Sequence, residues 1–166
     1  MKVLRTTSRW AGAYVVAALI GYTVASVGIT SHNLARLSAL GVDIGWADVW
    51  DTILFDFKAL SPTFSTITKY GSVVWLGLLI AFLTAQLLQR GFARWWRGTR
   101  FDLVLFALAG ATAMVVGIAI IDAQYKVSMI SGTGGVSGYL TQLMAGALAG
   151  MAFVTLLSAA NGEAQS

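Results

Sequence analysis

The sequence predicts an all-α integral membrane protein, a four-transmembrane-helix bundle with an amphipathic interfacial helix in the first extracytoplasmic loop. Three observations carry this. The chain has 166 residues, of which 57% are apolar and only 11% charged, whereas a soluble domain carries about 25% charged residues. Its mean hydropathy is +0.75. The charges bracket uncharged windows long enough to cross a hydrocarbon core, which takes about 20 residues as a helix. Those windows are apolar all round and rich in Ala, Leu and Gly, without the alternation of a barrel strand. The length fits a single membrane domain, residues 1–166.

The first window runs from Trp10 to Thr30, between Arg9 and the polar Ser31-His32-Asn33. Lys2, Arg5 and Arg9 ahead of it, and Thr23-Val24-Ala25 within it, resemble a cleaved signal peptide. The uncharged run is longer than the roughly 7 to 15 residues of such a segment, which favours a retained span. Asn33 to Leu40 forms a second, short amphipathic piece that continues span one outward after a kink, with Gly41 as a helix stop.

Residues 31–69 then form an outer loop too long for a plain connection. Within it Trp46, Val49, Trp50, Ile53, Phe57 and Leu60 recur at helical spacing, with Asp48, Asp51, Thr52 and Lys58 off that stripe. The pattern predicts an amphipathic helix over about 46–60, ended by Ser61-Pro62. Such a helix lies among lipid headgroups, or docks on a partner protein through Trp46, Trp50, Ile53 and Phe57, since aromatic anchors dominate interfaces.

The second span is Tyr70 to Gln89, between Lys69 and Arg90. The third, Leu103 to Ile121, lies between Asp102 and Asp122. Asp102 suits a helix N-terminus, and Asp122 is placed to pair with Lys126 if the helix continues one turn. The fourth runs from Val136 to Ala160 after a Gly-rich turn at Ser131 to Gly135.

Lys and Arg concentrate before span one and between spans two and three, where Arg90, Arg94, Arg97 and Arg100 flank Trp95 and Trp96. The positive-inside rule therefore places both termini in the cytoplasm, in a bacterial inner membrane by expectation. Trp10, Trp95 and Trp96 mark the inner headgroup belt, and Tyr70, Tyr125 and Tyr139 the outer one. Arg90, Arg94, Trp95, Trp96, Arg97 and Arg100 form the expected lipid-headgroup contact, with each arginine worth roughly 1 kcal/mol near an anionic surface.

Each span carries small residues at four-residue spacing, the pattern that lets backbones approach closely in lipid. These rows are Ala13, Ala17, Gly21 and Ala25; Gly77, Ala81 and Ala85; Ala109, Ala113 and Gly117; and Gly138, Gly146 and Gly150 with Gln142 in register. Thr84 and Gln142, polar and deep, are expected to face the interior or another protomer.

Much chemistry is excluded. With no cysteine and one histidine, His32, the chain lacks the ligands for a bis-His haem, an iron–sulfur cluster or structural zinc. No ionisable residue falls in the middle of a span, as a proton pump requires. The Gly132 to Gly138 turn lacks the Lys-Ser/Thr ending of a phosphate loop. No cofactor, metal, catalytic group or nucleic-acid partner is expected.

The partners expected are membrane lipids and either other membrane subunits or a second copy. The composition leaves three functional classes: a noncatalytic structural or accessory subunit of a membrane complex; a small homo-oligomeric transporter or channel with Gln142 and Thr84 near its path; and a lipid- or quinone-handling enzyme, for which no adequate acid, base or nucleophile is present.

Overall fold

The computed structural model describes the backbone of residues 2–59, 70–92, 99–125 and 136–162. Five helices follow in chain order: α1 (Lys2–Ala39), α2 (Trp46–Ala59), α3 (Tyr70–Phe92), α4 (Thr99–Tyr125) and α5 (Val136–Gly162). Four of them, α1, α3, α4 and α5, are long and apolar enough to cross a membrane. The fold is the expected all-α membrane bundle, with α2 as the additional, amphipathic helix.

The elements differ from expectation at one place. The span and the short piece after it form one unbroken helix of 38 residues, about 57 Å long and so longer than the hydrocarbon core it crosses. No Gly or Pro lies between Gly28 and Gly41 to interrupt it. The polar residues at the expected exit are accommodated by the helix itself: Thr30 Oγ1 donates to the Ser26 carbonyl at 3.1 Å and Ser31 Oγ to the Val27 carbonyl at 2.7 Å. Leaving the lipid and ending the helix are separate events here.

The helix ends where Gly41 adopts φ +85°, a left-handed conformation that costs an L side chain roughly 1–2 kcal/mol. The Val42 amide donates to the Leu37 carbonyl at 3.2 Å and the Gly41 amide to the Ser38 carbonyl at 3.0 Å. This paired closure satisfies carbonyls left over at the helix end. Four residues later α2 starts with a one-sided cap, in which the Gly45 amide donates to Asp48 Oδ2 at 2.9 Å, while the Val49 amide makes the first helical bond to the Gly45 carbonyl at 3.2 Å. Asp48 also places negative charge in the first turn, against the helix dipole. The result is a tight corner that returns α2 against α1.

Within the bundle α5 is the hub, packed along both α1 and α4, and α3 joins α4. On α5, Gly146 and Gly150 face α4 closely enough that a Cβ on either would overlap the backbone carbonyl of Gly110 or Phe106. The neighbouring row faces α1: a Cβ on Gly21 would meet Ala149 Cβ at 2.9 Å and the Ala145 carbonyl at 3.5 Å. On α1, Ala13, Ala17, Gly21 and Ala25 are all buried.

Toward the end of the bundle that holds the chain termini, the interior is aromatic. Phe82, Phe106 and Phe153, from α3, α4 and α5, cluster with centroids 4.9 to 5.9 Å apart, Phe153 stacking on both others and Phe82 tilted against Phe106. Trp10 meets Phe153 edge-on at 5.5 Å and stacks on Tyr14 at 5.7 Å. Tyr14 ties α1 to α3 by donating its hydroxyl to the Trp75 carbonyl at 2.6 Å. Trp10, expected in the headgroup belt, is thus a component of this cluster, with its indole Nε1 buried and without a hydrogen-bond partner.

Candidate functional site

Two surfaces stand out among the exposed faces of the described residues. The first is a groove between α3 and α4 that opens sideways to where lipid lies. Its floor is made by Gly77, Ala81 and Ala85 of α3 and by Ala109, Ala113 and Gly117 of α4, so these two rows face one common space. At Gly77 an added Cβ would lie 3.7 Å from the Ala113 carbonyl, and at Gly117 3.1 Å from Val73 Cγ1. The rims are bulky and exposed: Leu76, Ile80 and Leu88 on one side, Leu108, Val116 and Ile120 on the other. The groove encloses about 600 Å³.

Of the two positions expected for Thr84, the bundle interior and a face toward another protomer, it does not take the first, and it lines this groove. Its hydroxyl donates to the Ile80 carbonyl of its own helix at 2.8 Å. A threonine satisfied four residues back tolerates an apolar environment, so its polarity did not require an interior position.

The second surface is the outward side of α2. The amphipathic stripe is divided by contact with α1: Val49 and Ile53 are half-buried, whereas Trp46 is 83% and Trp50 62% exposed. Leu54 and Phe55 are exposed as well. The Phe57 side chain lies outside the described residues, as do Leu60 and the Ser61-Pro62 stop.

Polar side chains between helices serve as ties. Gln142, 1% exposed, donates through Nε2 to the Ala25 carbonyl on α1 at 3.3 Å. His32 Nε2 lies 3.2 Å from Thr141 Oγ1 on α5. That hydroxyl donates to the Ser137 carbonyl at 3.0 Å, which leaves it to accept from His32 and assigns the Nε2–H tautomer. Tyr139 donates to Asp122 Oδ2 at a long 3.4 Å, linking α5 to α4. The expected Asp122 partner, Lys126, lies outside the described residues.

Arg90 and Arg100 are exposed at the facing ends of α3 and α4. Arg94, Trp95, Trp96 and Arg97, between them in the chain, lie outside the described residues, as does most of the Gly132 to Gly138 turn. Gly138 is buried in α5. Among the described residues, no three His, Cys, Asp or Glu side chains gather as a metal site.

Sequence reasoning passed over Gly110, which meets Gly146, and the Ala145–Ala149 row, which meets Gly21. Gly110 stands beside the chosen Ala109 row, and α5 has small residues on two adjacent faces. Spacing reveals that such faces exist without revealing which neighbour each one meets.

No family model, curated protein or solved structure matches the chain.

Proposed function

We propose that this protein is a noncatalytic membrane subunit that holds an assembly together, with its outer helix α2 as the docking element. The observation that carries this reading is the exposure of Trp46 and Trp50 on a helix that already spends Val49 and Ile53 against α1. A helix that served only to float in the interface would turn its whole apolar stripe to lipid. Here half the stripe fixes α2 to a rigid support and the other half presents two indoles. Large, rigid aromatics held in place dominate binding at protein interfaces.

The bundle beneath supplies the rigid support. Small residues at four-residue spacing bring α1, α4 and α5 close, and the interhelical hydrogen bond of Gln142 adds to that rigidity. The excess of arginine at one end sets the orientation, with both termini in the cytoplasm of an inner membrane and α2 on the opposite face.

The test is purification from the native membrane in a mild detergent or a native-lipid disc, with mass determination of everything that stays bound. Foreign subunits in fixed ratio are expected, and they are lost when Trp46 and Trp50 are both changed to Ala while the bundle keeps its melting temperature. A homo-oligomer with no other protein, unaffected by those changes, overturns the reading.

A further inference from the structure

We infer that the α3–α4 groove is a binding site for one acyl chain of an anionic glycerophospholipid, drawn from the leaflet on the side of the chain termini. It is separate from the α2 surface and does not depend on it.

The dimensions select the occupant. From Val73 to Leu88 the lined stretch of α3 is about 22 Å long at 1.5 Å per residue, so a volume of about 600 Å³ gives a mean cross-section of about 27 Å², about 6 Å across. A transmembrane helix, roughly 10–12 Å in diameter with its side chains, would rest on the rims and reach the floor only with single side chains. A polymethylene chain, about 4–5 Å across by carbon contact distances, fits along its whole length.

The chemistry agrees. Carbon surfaces line most of the groove; of its two threonines, Thr84 is satisfied by its own helix, and Thr112 adds the remaining hydroxyl. Apart from that hydroxyl, the described lining is apolar and favours a hydrocarbon ligand. The small floor of Gly77, Ala81, Ala109 and Ala113 gives a flexible chain continuous van der Waals contact where larger side chains would fill the space.

The charge at one mouth selects the headgroup. Both helices that wall the groove carry an exposed arginine at the terminal end: Arg90 lies two residues beyond Leu88, and Arg100 five residues before Leu105. Arg9 of α1 stands at the same end, and Asp102, half-buried in the first turn of α4, offsets one of the three charges. The balance is cationic, and it matches a headgroup of net negative charge rather than a zwitterionic or cationic one.

The experiment uses the full chain in discs of defined lipid and native mass spectrometry, with phosphatidylglycerol against phosphatidylcholine of identical chains. One phosphatidylglycerol per protein is expected to survive detergent exchange. Ala81→Phe, which fills the channel, removes it, and Arg90→Gln with Arg100→Gln lowers the preference for phosphatidylglycerol by about fivefold for each arginine.

In the unaltered protein, phosphatidylglycerol with a photoreactive acyl chain is expected to cross-link within residues 73–88 and 105–120. This arm holds even if Ala81→Phe fails to fold. Equal retention of both lipids, cross-links spread evenly over all four spans, or a second protein copy covering the groove would each overturn the assignment.

Discussion

Gly146 has no room for a methyl group. Its nearest neighbour is backbone, the Gly110 carbonyl on α4, which cannot rotate aside as a side chain can. Gly146→Ala is therefore expected to lower stability in detergent by about 1–3 kcal/mol, the usual cost of overpacking. Gly12→Ala, with nothing within 4 Å of the added atom, is expected to be neutral or to raise stability by up to about 1 kcal/mol through helix propensity. Thermal unfolding of the two variants side by side measures the contrast, and equal shifts would show that the α4–α5 approach is looser than described. Gly146 was legible in the sequence as one of a four-residue row. Its partner Gly110 was not, because choosing between adjacent small faces of α4 requires knowing where α5 lies. Thr84 illustrates the same limit: its depth could be read from the chain, but the direction it faces depends on helix rotation.

Among the helices, α2 came through with nearly its expected bounds, Trp46–Ala59 against about 46–60. Amphipathic spacing and a flanking glycine are both local signals. The end of α1 was harder to place. Ser31-His32-Asn33 signals an exit from lipid, and hydropathy alone does not distinguish that from the end of a helix. What stops α1 is the backbone at Gly41, and what restarts the chain as α2 is the Gly45–Asp48 cap. Asp48→Ala removes that cap and the favourable charge, at about 1 kcal/mol. Faster amide hydrogen exchange confined to the first turns of α2 is the expected result, with α4 and α5 unchanged. An effect spread through the bundle would mean that α2 braces more than α1.

For the molecule as a whole, the fold class was legible because hydrocarbon leaves few alternatives. Uncharged windows of this length must satisfy their own backbone, and helices do so within one segment. The α3–α4 groove was not legible, since it exists only because two small-residue rows share a space without filling it. Orientation is open to direct measurement, because a chain without cysteine accepts single labels cleanly. Leu40, 81% exposed at the α1 end, and Gly91, with open space around it, lie at opposite ends of the bundle. In intact cells an impermeant maleimide is expected to label Leu40→Cys at once, and Gly91→Cys only after the membrane is opened. The reverse pattern would invert the topology, and labelling of both would refute the single crossing, α3, between them.

The position of α5 also bears on how the protein comes to exist. It is the helix that touches both α1 and α4 along their length, and it is made after the other three. Until it enters the bilayer, α1 is held to α3 chiefly through Tyr14 and its aromatic neighbours, and the carbonyls of Gly110 and Phe106 face lipid. The early spans therefore wait for the last one with α3 and α4 paired and α1 only loosely held. A ribosome that stalls before Val136 leaves behind three spans without their organising surface, a natural substrate for membrane quality control.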